Sequence, residues 1–208
     1  MRATLAGLAV VAALVAALVA ELGTDSVSDQ PASEPSARTH RDADTPEALA
    51  GPRRRAALPP CPAPLGGPGP EKLRGVVVQC AADGAEVDVA RALADRTVVL
   101  NLWAYWCGPC AEELPAMQRY QQQAGPAVTV VTVHQDENET AALLRMADLG
   151  VRLPVLQDGR RSIAAALALP NVMPATVVLR RDGSVARVLP QAFTDSDQIA
   201  AAVDSALG

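Results

Sequence analysis

The chain has 208 residues, half of them hydrophobic and only 2% aromatic, so one domain with a core of alanine, valine and leucine can form. The formal net charge of −5 and the isoelectric point near 5.0 argue against nucleic acid as a partner. The short basic run Arg53-Arg54-Arg55 is typical of a solvated linker and does not change that conclusion.

The N-terminus begins with an uncharged apolar run, residues 3–20, that follows Arg2. We interpret residues 1–20 as a signal peptide or a signal anchor, and either one exports the rest of the chain. Residues 21–58 are rich in Ser, Asp, Pro, Ala and Arg without apolar periodicity, which predicts a disordered linker. The folded domain is then expected at residues 59–208, and four cysteines in an exported chain favour an oxidising compartment.

Apolar runs separated by turn residues predict the first elements of the domain. Residues 75–80 and 85–87 flank Asp83-Gly84 and predict an N-terminal β-hairpin. A short helix at residues 89–94 then leads into a buried central strand at residues 97–102.

The rest of the chain alternates helical and strand patterns. The predicted elements are helices at 109–124, 136–149 and 162–169, strands at 127–133, 153–156, 175–179 and 184–189, and a final helix capped by residues 194–197. In the helix at 109–124, the apolar face is formed by Leu114, Met117 and Tyr120. The strand at 153–156 is assigned to a sheet edge because Pro154 cannot donate to a ladder. This order predicts an α/β fold: a mixed sheet with helices on both faces, an N-terminal hairpin and a central inserted helix and strand.

Two cysteines lie where the central strand gives way to a helix. A thiol at a helix N-terminus faces free N–H groups and the positive end of the helix dipole, so Cys107 is expected to be the more acidic and more exposed sulfur. Cys110 lies one turn further in, within bonding reach of Cys107. A zinc site normally needs about four ligands, and His40 and His134 are the chain's two histidines. The pair therefore predicts thiol–disulfide exchange.

The segment 103–110, Pro174 before a strand, and the closing hairpin and helix together resemble the thioredoxin superfamily. The N-terminal hairpin, the insertion between about residues 137 and 169, and the segment 110–115 are most similar to its TlpA/ResA/DsbE branch of extracytoplasmic thiol–disulfide oxidoreductases. This resemblance covers roughly residues 74–208 and implies a thioredoxin-like fold.

The resemblance also implies roles for individual residues. Cys107 would be the nucleophile, Cys110 the resolving thiol, and the Met173–Pro174 bond a cis peptide facing the disulfide. The expected substrate-binding residues are Trp106, Gly108, Pro109, Met173 and Pro174. Met173 departs from the threonine, valine or isoleucine common at that position.

A second departure concerns the proton acceptor. Thioredoxins carry a buried Asp on the central strand, and this chain has Asn101 there, whose amide cannot exchange a proton. Glu113 is the candidate substitute because it matches the family pattern C-x-x-C-x-x-E, although a solvent-facing carboxylate is the competing interpretation. The neighbouring Glu112 is assigned to the surface.

Three further residues need an interpretation. Cys61 and Cys80 are predicted to form a structural disulfide that fastens the N-terminal segment, with a second redox pair as the competing hypothesis. His134 ends a strand near the carboxyl edge of the sheet, where ligands often bind, and a lone histidine there is expected to be solvent-exposed.

Together these features predict an enzyme, a protein thiol–disulfide oxidoreductase without cofactor or metal. It would be a monomer acting outside the cytoplasm, either tethered by one N-terminal span or secreted. Its partners would be cysteine-containing exported proteins and a membrane redox protein that recycles it. Apocytochrome c reduction is the leading substrate class by resemblance, and an oxidase of exported proteins is the opposite direction. Two competing hypotheses from different functional classes are a copper metallochaperone using Cys107, Cys110 and His134, and a disulfide-stapled binding module without turnover.

Overall fold

A computed structural model describes residues 43–208, which build one seven-stranded mixed sheet covered by helices on both faces. The strands are β1 (Val77–Cys80), β2 (Glu86–Asp88), β3 (Val98–Trp103), β4 (Thr129–His134), β5 (Val155–Gln157), β6 (Ala175–Leu179) and β7 (Val185–Leu189). The α-helices of this part of the chain are α1 (Pro46–Ala56), α2 (Val89–Ala92), α3 (Gly108–Ala124), α4 (Glu139–Asp148), α5 (Ser162–Ala166) and α6 (Ser196–Leu207).

The strand order is β2-β1-β5-β4-β3-β6-β7, so β3 is an interior strand between β4 and β6. Strands β3, β4 and β5 run parallel, whereas β6 and β7 on one side and β1 and β2 on the other pair antiparallel. This arrangement confirms the predicted α/β fold with an N-terminal hairpin and a central inserted helix and strand. It also brings the carboxyl ends of β3, β4 and β5 together at one edge, where the cysteine pair follows β3.

The sheet has a separate apolar layer on each face, which is why every residue of β3 is buried. Val99 and Trp103 face the helices α1, α3, α4 and α6, and the predicted inward face of α3 is confirmed by burial of Leu114, Met117 and Tyr120. Leu100 and Leu102 face α2 and α5. Alanine, valine and leucine make up most of both layers, as the composition predicts.

The position of β5 in the sheet differs from the one predicted from Pro154. The sequence assigns β5 to a sheet edge, but it is an interior strand between β1 and β4. Pro154 directly precedes β5, so its missing N–H removes no bond of the strand, and its carbonyl accepts hydrogen bonds from the backbone N–H and hydroxyl of Thr132. The edge assignment is therefore wrong.

The predicted linker ends earlier than expected, because residues 46–56 form helix α1 rather than disordered chain. Thr45 caps the helix, Pro46 occupies its first position, and Leu49 and Ala56 are buried against the α3 and α4 face of the sheet. Two buried residues seven positions apart are too few to produce the periodicity that sequence analysis relies on. The domain therefore includes residues that the sequence assigns to the linker.

Arg53 is correspondingly not a solvated linker residue. Its Nη2 lies 2.9 Å from Glu139 Oε1 and its Nε donates to the Ala81 carbonyl, so it joins α1 to both α4 and the β1–β2 turn. The carboxylate of Asp44 adds a second link by accepting the backbone N–H of Glu139. These contacts explain why a polar helix docks here.

The interpretation of residues 1–20 as a signal peptide or anchor, and the first part of the predicted linker, lie outside the described residues. Within residues 43–208, no helix combines the length and apolar character needed to cross a membrane.

We expect Leu49→Ala to lower the free energy of unfolding by about 2–4 kcal/mol, because the side chain is fully enclosed. Arg54→Ala, an exposed change in the same helix, should stay within about 0.5 kcal/mol of the parent. Urea unfolding of both variants measures the difference. Equal stability of the two variants would show that α1 is not part of the cooperative domain.

Candidate active site

The cysteine pair lies at the junction of β3 and α3, as the sequence predicts. Cys107 is the N-cap of α3, and its sulfur accepts the backbone N–H of Cys110 at 3.2 Å. The two sulfurs form a disulfide with Sγ atoms 1.97 Å apart. Cys107 keeps 7% of its surface exposed, whereas Cys110 is completely buried, so an attacking group reaches Cys107 first.

The residues around this disulfide form an accessible rim. Trp106 is 57% exposed, and Gly108 and Pro109 are exposed at the first turn of α3. The Met173–Pro174 peptide is cis. Because Ala175 pairs with Leu102 in the β3–β6 ladder, this peptide lies at the same end of β3 as the cysteine pair. The structure thus brings the predicted substrate-binding residues to one edge of the sheet.

Glu113 points inward from α3 and is completely buried, which excludes the solvent-facing interpretation. Its Oε2 accepts the side-chain amide of Asn101 at 2.6 Å, and its Oε1 accepts the backbone N–H of Phe193 at 3.0 Å. Burial raises the pKa of Glu113 from 4.5 to about 7, and the two hydrogen bonds oppose that rise. Glu112 is exposed, as predicted.

Asn101 belongs to a polar row inside an otherwise apolar layer. It pairs with Thr132 on β4 and with Thr176 on β6, and all three residues are completely buried. Within residues 43–208, Asn101 Oδ1 and Thr176 Oγ1 have no hydrogen-bond partner. Polar atoms without partners are costly in an apolar layer, so apolar packing alone does not account for this row of residues.

His134 is completely buried, so the expectation of a solvent-exposed histidine is wrong. The sequence places it at a strand end but does not show that the turn after β3 covers it. Burial lowers the pKa of His134 to about 4, and both ring nitrogens have protein partners. No group of three potential metal ligands (His, Cys, Asp or Glu) occurs in the described part of the chain, and the occupied nitrogens of His134 disfavour the copper hypothesis.

Cys61 and Cys80 form the second disulfide, with Cα atoms 5.8 Å apart. It ties the segment after α1 to the last residue of β1, and the Cys61 sulfur lies 3.4 Å from the Val155 carbonyl. Neither cysteine caps a helix, so the helix-terminus effect that acts on Cys107 is missing here. This geometry fits the predicted structural role better than a second redox pair.

Sequence reasoning missed several residues that contact the site. Asp136 accepts the indole N–H of Trp106 at 3.0 Å, Arg145 donates to the Tyr105 carbonyl, and Phe193 donates to Glu113. These partners are 30 to 80 positions apart in the chain, so no local spacing could reveal them. From the sequence, Asp136 is explained by its position at the start of a predicted helix.

Comparison with known proteins identifies the family. The Redoxin family model matches residues 66–203. Thioredoxin-like protein YneN of Bacillus subtilis is 34% identical over 97 residues, which cover 43% of this chain and 54% of YneN. Thiol-disulfide oxidoreductase ResA of Bacillus thuringiensis is 26% identical over 104 residues, which cover 50% of this chain and 59% of ResA. The chain therefore spans little more than half the length of these two relatives.

A similar solved structure is that of a secreted Mycobacterium tuberculosis disulfide oxidoreductase homologous to DsbE of E. coli. It superposes with a TM-score of 0.56 at 24% identity, covering 65% of this chain and 98% of that one. This likeness confirms the thioredoxin-like fold. Because the family model matches more than half of the chain, we conclude that the chain belongs to the Redoxin family.

Proposed function

We propose that this protein is a thiol–disulfide oxidoreductase that exchanges disulfides with cysteine-containing proteins outside the cytoplasm. One observation carries the proposal: in the disulfide at the N-terminus of α3, Cys107 keeps 7% of its surface accessible whereas Cys110 is completely buried, and a buried carboxyl, Glu113, lies one turn beyond Cys110. An inert structural disulfide needs neither the helix terminus nor the buried carboxyl.

In the reducing direction, the Cys107 thiolate attacks a substrate disulfide and releases one substrate thiolate, which leaves a mixed disulfide. Cys110 then attacks the Cys107 sulfur, which breaks the mixed disulfide and releases the second substrate thiolate. Two electrons pass from the enzyme thiols to the substrate disulfide. The Cys110 proton needs an acceptor within the protein, because Cys110 is completely buried and has no contact with bulk water.

Glu113 is suited to accept that proton. Residues at positions i and i+3 share a helix face, so Glu113 lies on the same side of α3 as Cys110. Its pKa of about 7 matches a group that must both take up and release protons near neutral pH. Asn101 and the Phe193 amide hold the two carboxylate oxygens in place. Glu113 would therefore perform the task that an Asp performs in thioredoxins.

The rim fits a protein substrate. Trp106 and Val172 are among the large exposed apolar residues in the described part of the chain, and they come from the two segments that flank the disulfide. Because proline has no N–H, Met173 offers its backbone beside the disulfide to an extended peptide. Trp106, Gly108, Pro109, Met173 and Pro174 therefore remain the proposed substrate-binding residues.

The site of action and the direction belong to the same proposal. The apolar N-terminal run, two disulfides and the resemblance to an extracytoplasmic branch support export, with a membrane redox protein as the recycling partner. We assign the reducing direction because the Gly108-Pro109 dipeptide is the one found in reducing thioredoxins. Apocytochrome c is the leading substrate by resemblance to the extracytoplasmic branch alone.

The redox potential tests the direction. Equilibration of the purified protein with glutathione should give a potential near or below that of thioredoxin, at about −270 mV. A value near about −120 mV would contradict the reducing direction and support the oxidase hypothesis.

Cys107→Ser should abolish insulin reduction, because the variant lacks the attacking sulfur. A variant that keeps its activity would overturn the assignment of Cys107 as the nucleophile.

Glu113→Gln should slow resolution of the mixed disulfide by about a hundredfold, because an amide cannot accept the Cys110 proton. Attack by Cys107 should change little, so rapid mixing with a chromogenic disulfide substrate should show a normal first phase and a slow second phase. The matched control is Glu112→Gln, which changes the adjacent exposed carboxylate. An unchanged second phase in Glu113→Gln would remove Glu113 from the site.

The oxidised protein should lose stability as the pH rises from 4.5 towards 7. Since the folded pKa of Glu113 lies above its unfolded value of 4.5, the native state binds this proton more tightly. The resulting stabilisation is fully present below pH 4.5 and is lost as the pH rises through about 7.

The loss amounts to about 3 kcal/mol and should be missing in Glu113→Gln. Urea unfolding of the oxidised proteins across this pH range measures it, with Glu112→Gln again as control. Parallel pH profiles for Glu113→Gln and the parent would contradict the raised pKa.

A further inference from the structure

Three parallel strands end in a row of large side chains beneath the turn that carries the nucleophile. In the β3–β4 and β4–β5 ladders, His134 is paired with Trp103 on one side and with Gln157 on the other. Paired residues of neighbouring strands point to the same face of a sheet. The imidazole and the Trp103 ring lie 4.9 Å apart, centroid to centroid, so His134 has little freedom to move.

The hydrogen bonds of His134 define its tautomer. The backbone N–H of Tyr105 can only donate, and it donates to His134 Nε2 at 3.3 Å, so this nitrogen carries no proton. Nδ1 therefore holds the proton and donates it to Gln157 Oε1 at 2.9 Å. The Gln157 amide in turn donates to the Asp136 carbonyl at 2.6 Å. The ring is thus a neutral acceptor with a fixed orientation.

The amide that His134 accepts belongs to the turn that delivers Cys107. This turn is closed by a hydrogen bond from the Cys107 N–H to the Ala104 carbonyl at 3.0 Å. Arg145 holds the Tyr105 carbonyl, and Asp136 holds the Trp106 indole, but both of these contacts are at the exposed side. The bond from the Tyr105 amide to His134 fixes the turn from its buried side.

We propose that His134 is a positioning residue of the redox site: its Nε2 accepts the Tyr105 amide and thereby keeps the Cys107 sulfur at the N-terminus of α3. There the free N–H groups and the helix dipole stabilise the thiolate. The proposal rests on the proposed function, because a positioned thiolate matters only if Cys107 is the attacking sulfur. His134 itself does not touch the reacting atoms.

Two amide substitutions separate this role from simple packing. In His134→Gln, the side chain is long enough to place its oxygen where Nε2 lies, so the Tyr105 amide keeps an acceptor. In His134→Asn, the shorter side chain reaches only the position of Nδ1, where its amide nitrogen can donate to Gln157 Oε1, so the Tyr105 amide loses its acceptor. Both variants lose the aromatic ring and gain one amide, and they differ by one methylene and by whether the Tyr105 amide keeps an acceptor.

The readout is the Cys107 thiolate in a Cys110→Ala background, followed by its ultraviolet absorbance against pH and by its alkylation rate with iodoacetamide. His134→Asn should raise the pKa of the Cys107 thiol and slow alkylation at neutral pH about tenfold. His134→Gln should remain within about twofold of the parent. Equal effects of the two substitutions, or no effect of either, would overturn the proposal.

A measurement on the unsubstituted protein keeps the test decisive if His134→Asn fails to fold. The ¹⁵N shifts of the His134 ring should report a proton on Nδ1 and none on Nε2 at neutral pH, coupled to a slowly exchanging Tyr105 amide. A proton on Nε2, or rapid exchange of that amide, would contradict the positioning role. Insulin reduction by the unsubstituted protein tests the proposed function separately, and its absence would contradict that function. The alkylation rates would still show whether His134 affects the reactivity of the Cys107 thiolate.

Discussion

The packing of β3, α3 and the loop before α6 depends on one constraint, the burial of the Glu113 carboxyl away from water. A carboxylate enclosed between a helix and a sheet is unfavourable unless donors reach it, and here the donors come from β3 and from the loop before α6. Two such donors reduce the cost of burial without abolishing it, so the proton affinity remains high. The central strand, helix α3 and the C-terminal loop must therefore pack in register for both donors to reach this carboxyl.

Burial also determines the charge state of His134, which lies beneath the turn before α3. His134 contributes an acceptor without a charge, because burial prevents the ring from ionising near neutral pH. The buried pair Asn101 and Glu113 lies below α3, and the row Trp103, His134 and Gln157 lies below the turn before it. In the proposed mechanism, Cys107 therefore lies between Glu113, which would accept a proton, and His134, which would hold the backbone of the turn.

Local patterns are sufficient for the strands, for the helices after β2 and for the cysteine pair, because each depends on a few adjacent residues. The strand-to-helix junction, the N-terminal hairpin and the inward face of α3 follow directly from periodicity and turn chemistry. Burial of His134 and docking of α1 did not follow, since both depend on residues far along the chain. Pro154 misled for a related reason, because its effect depends on whether it lies inside a strand or just before one.

Helix α1 also has a practical consequence for how the domain is isolated. A recombinant fragment that starts just before Cys61 retains the disulfide and every residue of the redox motif, yet it loses Asp44, Leu49 and Arg53. The fragment would expose apolar residues that Leu49 covers on the α4 side of the sheet. It would also remove the partner of Glu139, which lies in α4. The same helix carries Arg145, which contacts the turn before Cys107. Kinetic comparisons with such a fragment would mix the chemistry of the cysteines with an altered neighbouring helix.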